Sequence, residues 1–473
     1  MKSIAGTLSE LVIDTPAGGL APSGYEAASR MLLDTCACAF AGRNAPGIAE
    51  LIDLERELSA AGMGTVWFSG QKLSLPAAAL CNAAMVHALD FDNNYPAADI
   101  HILSIVVPVA WACCEERKTS GRDFLAAVIL GVEVAARIAK PYMRARRAHA
   151  HFLTTSLVGG WGGVAAAARL LGLPVRETVH AMGIYYAHTC GNRQALLERG
   201  LTKRIQPGIA ARAALYSALL AGRGITGPER VFEGKAGFYR CYTQDPPPPL
   251  ERFTSARPAA AIEELTVKVY PTCGIHHANI SSALELKRAH GFACSDIQRV
   301  EFFLREGGGT LVSMPFEPGP TPQIDAQFCA PYAIALALNR GSISIADFTD
   351  ERIRRDRDTV ELARRTTEVT RFEDLDLRQY PSRRGGCNYT KVVLRDGRVL
   401  EHECPIRALN EPGLMGVAEV RDKFRQCVSM YGKVDPDVTE QLADAVLNIG
   451  SVKDVRKTSA VLFEQPLASP PGA

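Results

Sequence analysis

A chain of 473 residues with 53 Lys+Arg against 51 Asp+Glu carries a formal charge of +2, too small to attract nucleic acid or an anionic membrane surface. With 47% hydrophobic and 22% charged residues the composition excludes disorder and fibrous architecture, and this length can bury a substantial core split over two or three domains. Thirteen cysteines, scattered without CxxC pairs, favour reduced thiols over a disulfide framework.

The first segment, Met1 to Leu20, lacks the charged start and continuous apolar centre of a signal peptide, so the expected compartment is the cytoplasm or an organelle matrix. From Glu26 to Arg223 the chain runs in alanine-rich apolar windows of helical period: Ala77 to Leu89, Asp123 to Ala139, Val164 to Leu171 and Ile209 to Leu220. The apolar stretches Ile102 to Cys114 and Leu157 to Ala168 are shorter than the roughly 20 residues that a membrane span needs, and they read as buried core helices. Gly159, Gly160, Gly162 and Gly163 let helix axes approach closely.

The texture changes after the proline run Pro246 to Pro249. Leu265 to Tyr270 and Arg299 to Leu304 alternate like short strands, and Asn388 to Leu394 and Arg398 to His402 flank the turn Arg395-Asp396-Gly397 as a hairpin. Between them, Cys273 to His290 and Ala326 to Asn339 predict helices. After Glu411 helices return (Val417 to Met430, Val438 to Asn448), so the C-terminus is expected to pack back on the helical part, with Ser469 to Ala473 frayed. The predicted fold is mainly α with a smaller α+β domain: residues 1–264 and 405–473 form a discontinuous helical domain, and 265–404 the α+β domain.

Three constellations carry candidate chemistry. His87-Ala-Leu-Asp90-Phe-Asp92-Asn93-Asn94 with His101 puts His87, Asp90 and Asn94 on one face if the helix continues, which suits general acid/base work; a capped helix end with His87 in the core fits the same residues. In Lys203-Arg204-Ile205-Gln206-Pro207-Gly208, Pro207 is placed to start a helix whose positive end, with both cations, suits a carboxylate or phosphate, unless the cations are simply solvated. In Tyr270-Pro-Thr-Cys273-Gly-Ile-His276-His277, Cys273 near a helix start, with His277 one turn on, reads either as a thiolate of lowered pKa or a Cys/His hydrogen bond, or as a packed thiol with a capping histidine.

The run Arg144, Arg146, Arg147, His149, His151 lacks interleaved aromatics, so it reads as a solvated loop rather than a nucleic-acid surface. Gly307-Gly308-Gly309 is not followed by Lys-Ser/Thr, and no GxGxxG opens a helix after a strand. Adjacent histidines with one cysteine lack tetrahedral zinc spacing. No metal and no cofactor are expected.

The series His87-Ala-Leu-Asp90-Phe-Asp92, His101 to Pro108, Lys203 with Pro207-Gly208 and Ala210-Ala211, Thr226-Gly227-Pro228, Gly237-Phe238 and Lys268 to His277 resembles the MmgE/PrpD family over essentially the whole chain. That family includes 2-methylcitrate dehydratase, cis-aconitate decarboxylase and iminodisuccinate epimerase. The resemblance implies a helical domain built from both chain ends, an α+β lid, a cleft between them, a homodimer, and catalysis without metal or organic cofactor. It puts Asp90, His101 and Lys203 at active-site positions with Cys273 and His277 on the lid side. The segment around Cys273 is most similar to the fungal decarboxylases and the epimerase.

Two stretches depart from the family pattern. In His151-Phe152-Leu153-Thr154-Thr155-Ser156, Leu153 stands where a histidine follows an aromatic residue, so either His151 reaches the site or an acid/base group is missing. Asn93-Asn94-Tyr95 replaces a more acidic run. Tyr95, Leu153 and Thr155 are thereby expected to face substrate, with Arg193 and Arg204 as carboxylate clamps, His101 as the proton-transfer group and Asp90 orienting it. The implied function is a cofactor-independent lyase, a dehydratase or decarboxylase, acting on a small di- or tricarboxylate or an alkyl-substituted relative. An epimerase working by proton abstraction, or a non-catalytic binding paralogue, are the alternatives.

Overall fold

The computed structural model describes residues 2–464 apart from 60, 147–150, 244, 255–259, 305–308, 370–386, 406–410 and 412. The expected frayed end at Ser469 to Ala473, Arg147 and His149 of the basic run, and Gly307 and Gly308 lie outside the described residues. Helices α1 (Ile4–Asp14), α2 (Pro22–Gly42) and α3 (Ile48–Leu58) precede a small antiparallel hairpin, β1 (Gly64–Val66) and β2 (Gln71–Leu73). Then come α4 (Leu75–His87), α5 (Leu103–Glu116), α6 (Gly121–Ala145), α7 (Thr154–Leu171), α8 (Val175–Tyr186), the single turn α9 (Gln194–Leu197), α10 (Thr202–Ala221) and the short α11 (Phe238–Tyr242).

The axis of this assembly is α4, in which every residue from Ala77 to His87 is buried. A helix apolar on all sides belongs in the middle of a bundle. Small residues let its neighbours close in: a Cβ on Gly208 of α10 would lie 2.5 Å from the Leu80 carbonyl oxygen, and one on Gly162 of α7 would lie 2.6 Å from that of Gly131 in α6. The glycine-rich texture thus marks close helix crossings. One large core joins α1 (Leu8), α2 (Phe40), α4 (Met85) and α5 (Trp111) to the C-terminal residues Phe424 and Phe463.

The second part contains α12 (His277–His290), β3 (Ile297–Phe303), α13 (Gly309–Val312), α14 (Pro322–Gln327), α15 (Ala330–Arg340), α16 (Asp350–Arg355), α17 (Arg357–Arg364), β4 (Thr366–Glu368), β5 (Cys387–Leu394) and β6 (Val399–Pro405). The sheet order is β4-β3-β5-β6, with β3 and β4 parallel and the other pairs antiparallel. Helices α12 and α15 cover it, and Ile280, Val300, Phe302, Ala333, Leu336 and Val392 form its own core. The chain then returns through α18 (Val417–Tyr431), α19 (Pro436–Leu447) and α20 (Val455–Ser459). Phe463 stacks on Trp67 with ring centroids 4.5 Å apart.

Several expectations change. Leu265 to Tyr270 is not a strand: only Thr266 pairs, in a single antiparallel bridge to Asn94, because its neighbour is a loop rather than another strand. Ala326 to Asn339 is not one helix, since Phe328 and Cys329 separate α14 from α15 and Pro331 starts the second. Helix α10 begins at Thr202, with Pro207 inside it and not at its start, so Lys203 and Arg204 belong to the first turn. Among the described residues no helix is long and apolar enough to cross a membrane. Among the described residues, the eleven cysteines other than Cys404 whose side chains are described form no disulfide.

Gly208→Ala should lower the thermal midpoint by forcing α4 and α10 apart, at a cost of about 1–3 kcal/mol typical of overpacking. Calorimetric unfolding checks this; an unchanged midpoint would mean that the crossing tolerates the methyl group.

Candidate active site

The polar cluster begins where α4 stops. The helix ends at His87 and Asp90 takes a left-handed backbone conformation, φ +51°, which a short polar side chain tolerates. The chain therefore turns, so the shared helical face expected for His87, Asp90 and Asn94 does not form. Instead the turn sends the two carboxylates in different directions.

Asp90 meets two lysines. Its Oδ1 accepts from Lys203 Nζ of α10, while Lys268 Nζ lies 2.7 Å from Oδ2 and 2.8 Å from the Asp90 main-chain oxygen. All three are buried. Burial alone would raise the Asp90 carboxyl, but Lys203 and Lys268 outweigh it and hold the carboxyl well below its ordinary range. Burial likewise opposes charge on Lys268, and Asp90 and Asp92 reverse the sign, so its pKa rises.

Asp92 meets two histidines. Its carboxylate is 3.0 Å from His87 Nδ1 and 3.3 Å from His101 Nδ1, and the two rings sit 4.9 Å apart. His101 Nδ1 is also 2.9 Å from the Asn93 carbonyl oxygen, so that nitrogen must carry hydrogen; in the neutral ring Nε2 is then the free base. His87 donates from Nδ1 in the same way, and its Nε2, 2.9 Å from Lys203 Nζ, accepts from the ammonium. Burial lowers the His87 pKa to about 4, keeping the ring neutral at pH 7.

Thus it is Asp92, and not Asp90, that orients His101. His87, Asp92 and His101 bring ligand-type atoms within 4.8 Å of one another. Yet the Nδ1 atoms are committed as donors, to a carboxylate and in His101 also to a carbonyl, and a metal would need their lone pairs. The arrangement suits hydrogen bonding better than a cation.

A cavity of about 60 Å³ lies between the two parts of the fold. Its polar wall carries His87, Asp90, Asn94, His101, Thr155, Arg193, Lys203 and Lys268; its apolar wall carries Leu153, Leu196, Ile275, Leu311 and Phe328, with Cys273. Thr155 Oγ1 accepts from the His101 main-chain N–H, and Arg193 stands 3.7 Å from Asp99.

Other expected residues stand elsewhere. Arg204 points away, donating to the Pro46 carbonyl oxygen at 2.8 Å and towards Gln323, and burial lowers its pKa to about 10. Tyr95 donates to Glu264 at 2.8 Å, behind the cavity. His277 lies 3.2 Å from the Thr272 carbonyl oxygen, not on Cys273. The Cys273 thiol is pushed up to about 11 by burial and then by Asp90, the opposite of an activated thiolate. His151 is exposed and its carbonyl oxygen accepts from the Arg193 N–H, while Leu153 is the residue that lines the cavity.

The sequence reading missed Lys268 and the pairing role of Asp92. Lys268 sits at a polar position of the alternation Leu265-Thr-Val-Lys-Val-Tyr, where a charge ordinarily faces solvent, so the sequence carries no signal of its burial.

The model of the MmgE/PrpD N-terminal domain matches residues 6–251, and that of the C-terminal domain matches residues 270–449. The chain belongs to the MmgE/PrpD family. Its relatives include a cis-aconitate decarboxylase of Aspergillus terreus (strain NIH 2624 / FGSC A1156), 27% identical over 91% of this chain and 90% of that protein. A cis-aconitate decarboxylase-like protein of Aspergillus oryzae (strain ATCC 42149 / RIB 40) is 26% identical over 92% of each chain. The Homo sapiens cis-aconitate decarboxylase is 27% identical over 75% of this chain and 74% of that one. The mainly helical fold with its separate mixed sheet is the two-domain MmgE/PrpD architecture.

His276 was not singled out, yet it is fully buried, and among the described residues neither ring nitrogen has a hydrogen-bond partner. Burial lowers its pKa to about 3 from 6.5. In that window the unfolded chain binds the extra proton, so stability falls on acidification below 6.5 and levels off near the folded value. Each such histidine adds a slope of up to about 1.4 kcal/mol per pH unit. His276→Leu should flatten the parental profile by one such slope in urea titrations; parallel profiles would show that His276 charges freely in the fold.

Proposed function

We propose that this protein is a cofactor-independent lyase acting on a small carboxylate, with decarboxylation the favoured reaction. The observation that carries it is one cavity in which two lysines, locked on Asp90, face His101, backed by Asp92. Relatives named cis-aconitate decarboxylases support carbon–carbon over carbon–oxygen cleavage.

In this mechanism Lys203, Lys268 and Arg193 receive the substrate carboxylates, and Asn94 and Thr155 add polar contacts. As the C–C bond to the departing CO₂ breaks, its electron pair moves onto the α-carbon and into the neighbouring carboxylate, where the lysine ammonium groups oppose the developing charge. His101 in its imidazolium form delivers a proton from Nε2 to that carbon, and Asp92 stabilises the cation beforehand. His87 is a positioning residue: its neutral ring ties Lys203 to Asp92, so the proton donor and the carboxylate binder stay in register. Cys273 stays a neutral thiol.

A homodimer is part of the proposal. Leu54 and Leu58 of α3 and Ile209 and Tyr216 of α10 are exposed, and the Arg212–Glu55 ion pair at 2.7 Å ties those helices together. Sedimentation velocity should give twice the chain mass, and Ile209→Asp with Tyr216→Asp should shift it to the monomer; a monomeric parent would refute this part.

Lys203→Met, His101→Ala and Asp92→Asn should each reduce turnover of a carboxylate substrate by more than about tenfold, within the roughly 10²–10⁴ associated with a positioned acid/base group. Chelator-treated enzyme should keep its rate. Product analysis reads the reaction directly: released CO₂ supports decarboxylation, whereas deuterium exchange with no loss of mass, or near-parental turnover in all three folded variants, would reject the assignment.

A further inference from the structure

The apolar side of the cavity is a separate piece of construction. Leu196, Ile324 and Phe328 pack together as a cluster of their own, and Leu153, Cys273 and Leu311 pack against it, the last two also touching the core of the sheet part. The members come from different places in the chain: the residue before α7, the turn α9, helix α13, helix α14 and the break that follows it. Five of them, Leu153, Leu196, Cys273, Leu311 and Phe328, face the cavity. Phe328 also turns its ring face to Lys203 Nζ, 4.7 Å from the centroid, which sets the wall directly beside the carboxylate-binding end.

The charges limit what else can bind. Three fixed cations face the cavity, Lys203, Lys268 and Arg193, joined by His101 in its imidazolium form, against two carboxylates, Asp90 and Asp99, which leaves two positive charges in excess. Both lysines are already in contact with Asp90, and Arg193 is 3.7 Å from Asp99. Three carboxylates would leave negative charge without a partner beside the buried lysines, which is costly. One or two carboxylates beside an aliphatic group match both walls.

We propose that the wall formed by Leu153, Leu196, Leu311 and Phe328 binds an alkyl substituent, and that the substrate is a mono- or dicarboxylate carrying a short alkyl chain next to the bound carboxylate. This deepens the carboxylate-lyase reading and rests on it. Each methylene placed against the wall strengthens binding by about fourfold until the wall is filled. The wall is thus a specificity determinant, while the lysines supply affinity common to all carboxylates.

Saturated acids separate binding from reaction, since they offer no ready route to lose CO₂ or water. Calorimetric titration of the full chain with succinate, methyl-, ethyl- and propylsuccinate should show affinity rising about fourfold per added carbon, and propane-1,2,3-tricarboxylate should bind at least tenfold more weakly than propylsuccinate. Leu153→Asn and Leu196→Asn should each flatten the series. A flat parental series, tightest binding by the tricarboxylate, no binding by any member, or an unchanged slope in both variants would overturn the proposal. A rising series with no turnover of unsaturated or hydroxylated alkyl acids would instead sustain the wall's role and reject the lyase chemistry.

Discussion

One carboxylate holding two ammonium groups in the interior organises this molecule. Asp90 lies between Lys203, which arrives on α10, and Lys268, which arrives on the segment that leads into the second core. Desolvating three charges is expensive, and the arrangement survives because each oxygen of Asp90 has its own ammonium partner. Removing one member would leave a buried charge exposed to the whole penalty, a loss on the order of 3–5 kcal/mol. The Lys268 contact ties the segment that enters the second core to the turn after α4, so the ion cluster that lines the cavity also anchors that segment.

A second buried pair supports the first from behind. Lys423 of α18 lies 2.6 Å from Asp34 of α2 and donates to the Phe91 carbonyl oxygen at 2.7 Å and that of Lys268 at 3.2 Å, with its ammonium 3.7 Å from the centre of the Phe91 ring. Asn93 donates to the same Asp34 carboxylate at 3.1 Å. The loop that divides Asp90 from Asp92 is thus clamped on both sides by groups from the two chain ends. This gives the return of the C-terminal helices a consequence at the site: they hold the left-handed turn that aims one carboxylate at lysines and the next at histidines.

Much of this was legible in the sequence because it follows from periodicity and composition. The alanine-rich windows became the central helices, the Arg395-Asp396-Gly397 turn joins β5 to β6, and Asp90, His101, Lys203 and Cys273 do share one cavity. What escaped depends on backbone geometry and tertiary partners. A helical pattern does not announce that Asp90 reverses the chain, and that turn puts Asp92, not Asp90, beside His101. Pro207 reads as a helix start, yet packing of α10 on α4 carries the helix across it. Cys273 near a helix suggested a thiolate, but no cation touches it closely enough to offset burial. Short β4, read as nothing by alternation, pairs in parallel with β3 through contacts that only the folded chain supplies.

The two walls of the cavity also bear on the chemistry together. In the proposed decarboxylation, loss of CO₂ moves charge from a compact, strongly hydrated carboxylate to a dispersed one on carbon and its neighbouring group, and hydration favours the compact form. Leu153, Leu196, Leu311 and Phe328 exclude water from the side where that charge disperses, while Lys203 and Lys268 remain on the side where it collects. Because both lysines already contact Asp90, neither has to reorient as the charge develops, which is the condition under which fixed dipoles and charges act most strongly. An apolar surface set against a pinned pair of cations is therefore an environment that favours the dispersed state over the bound carboxylate, whichever alkyl group occupies the wall.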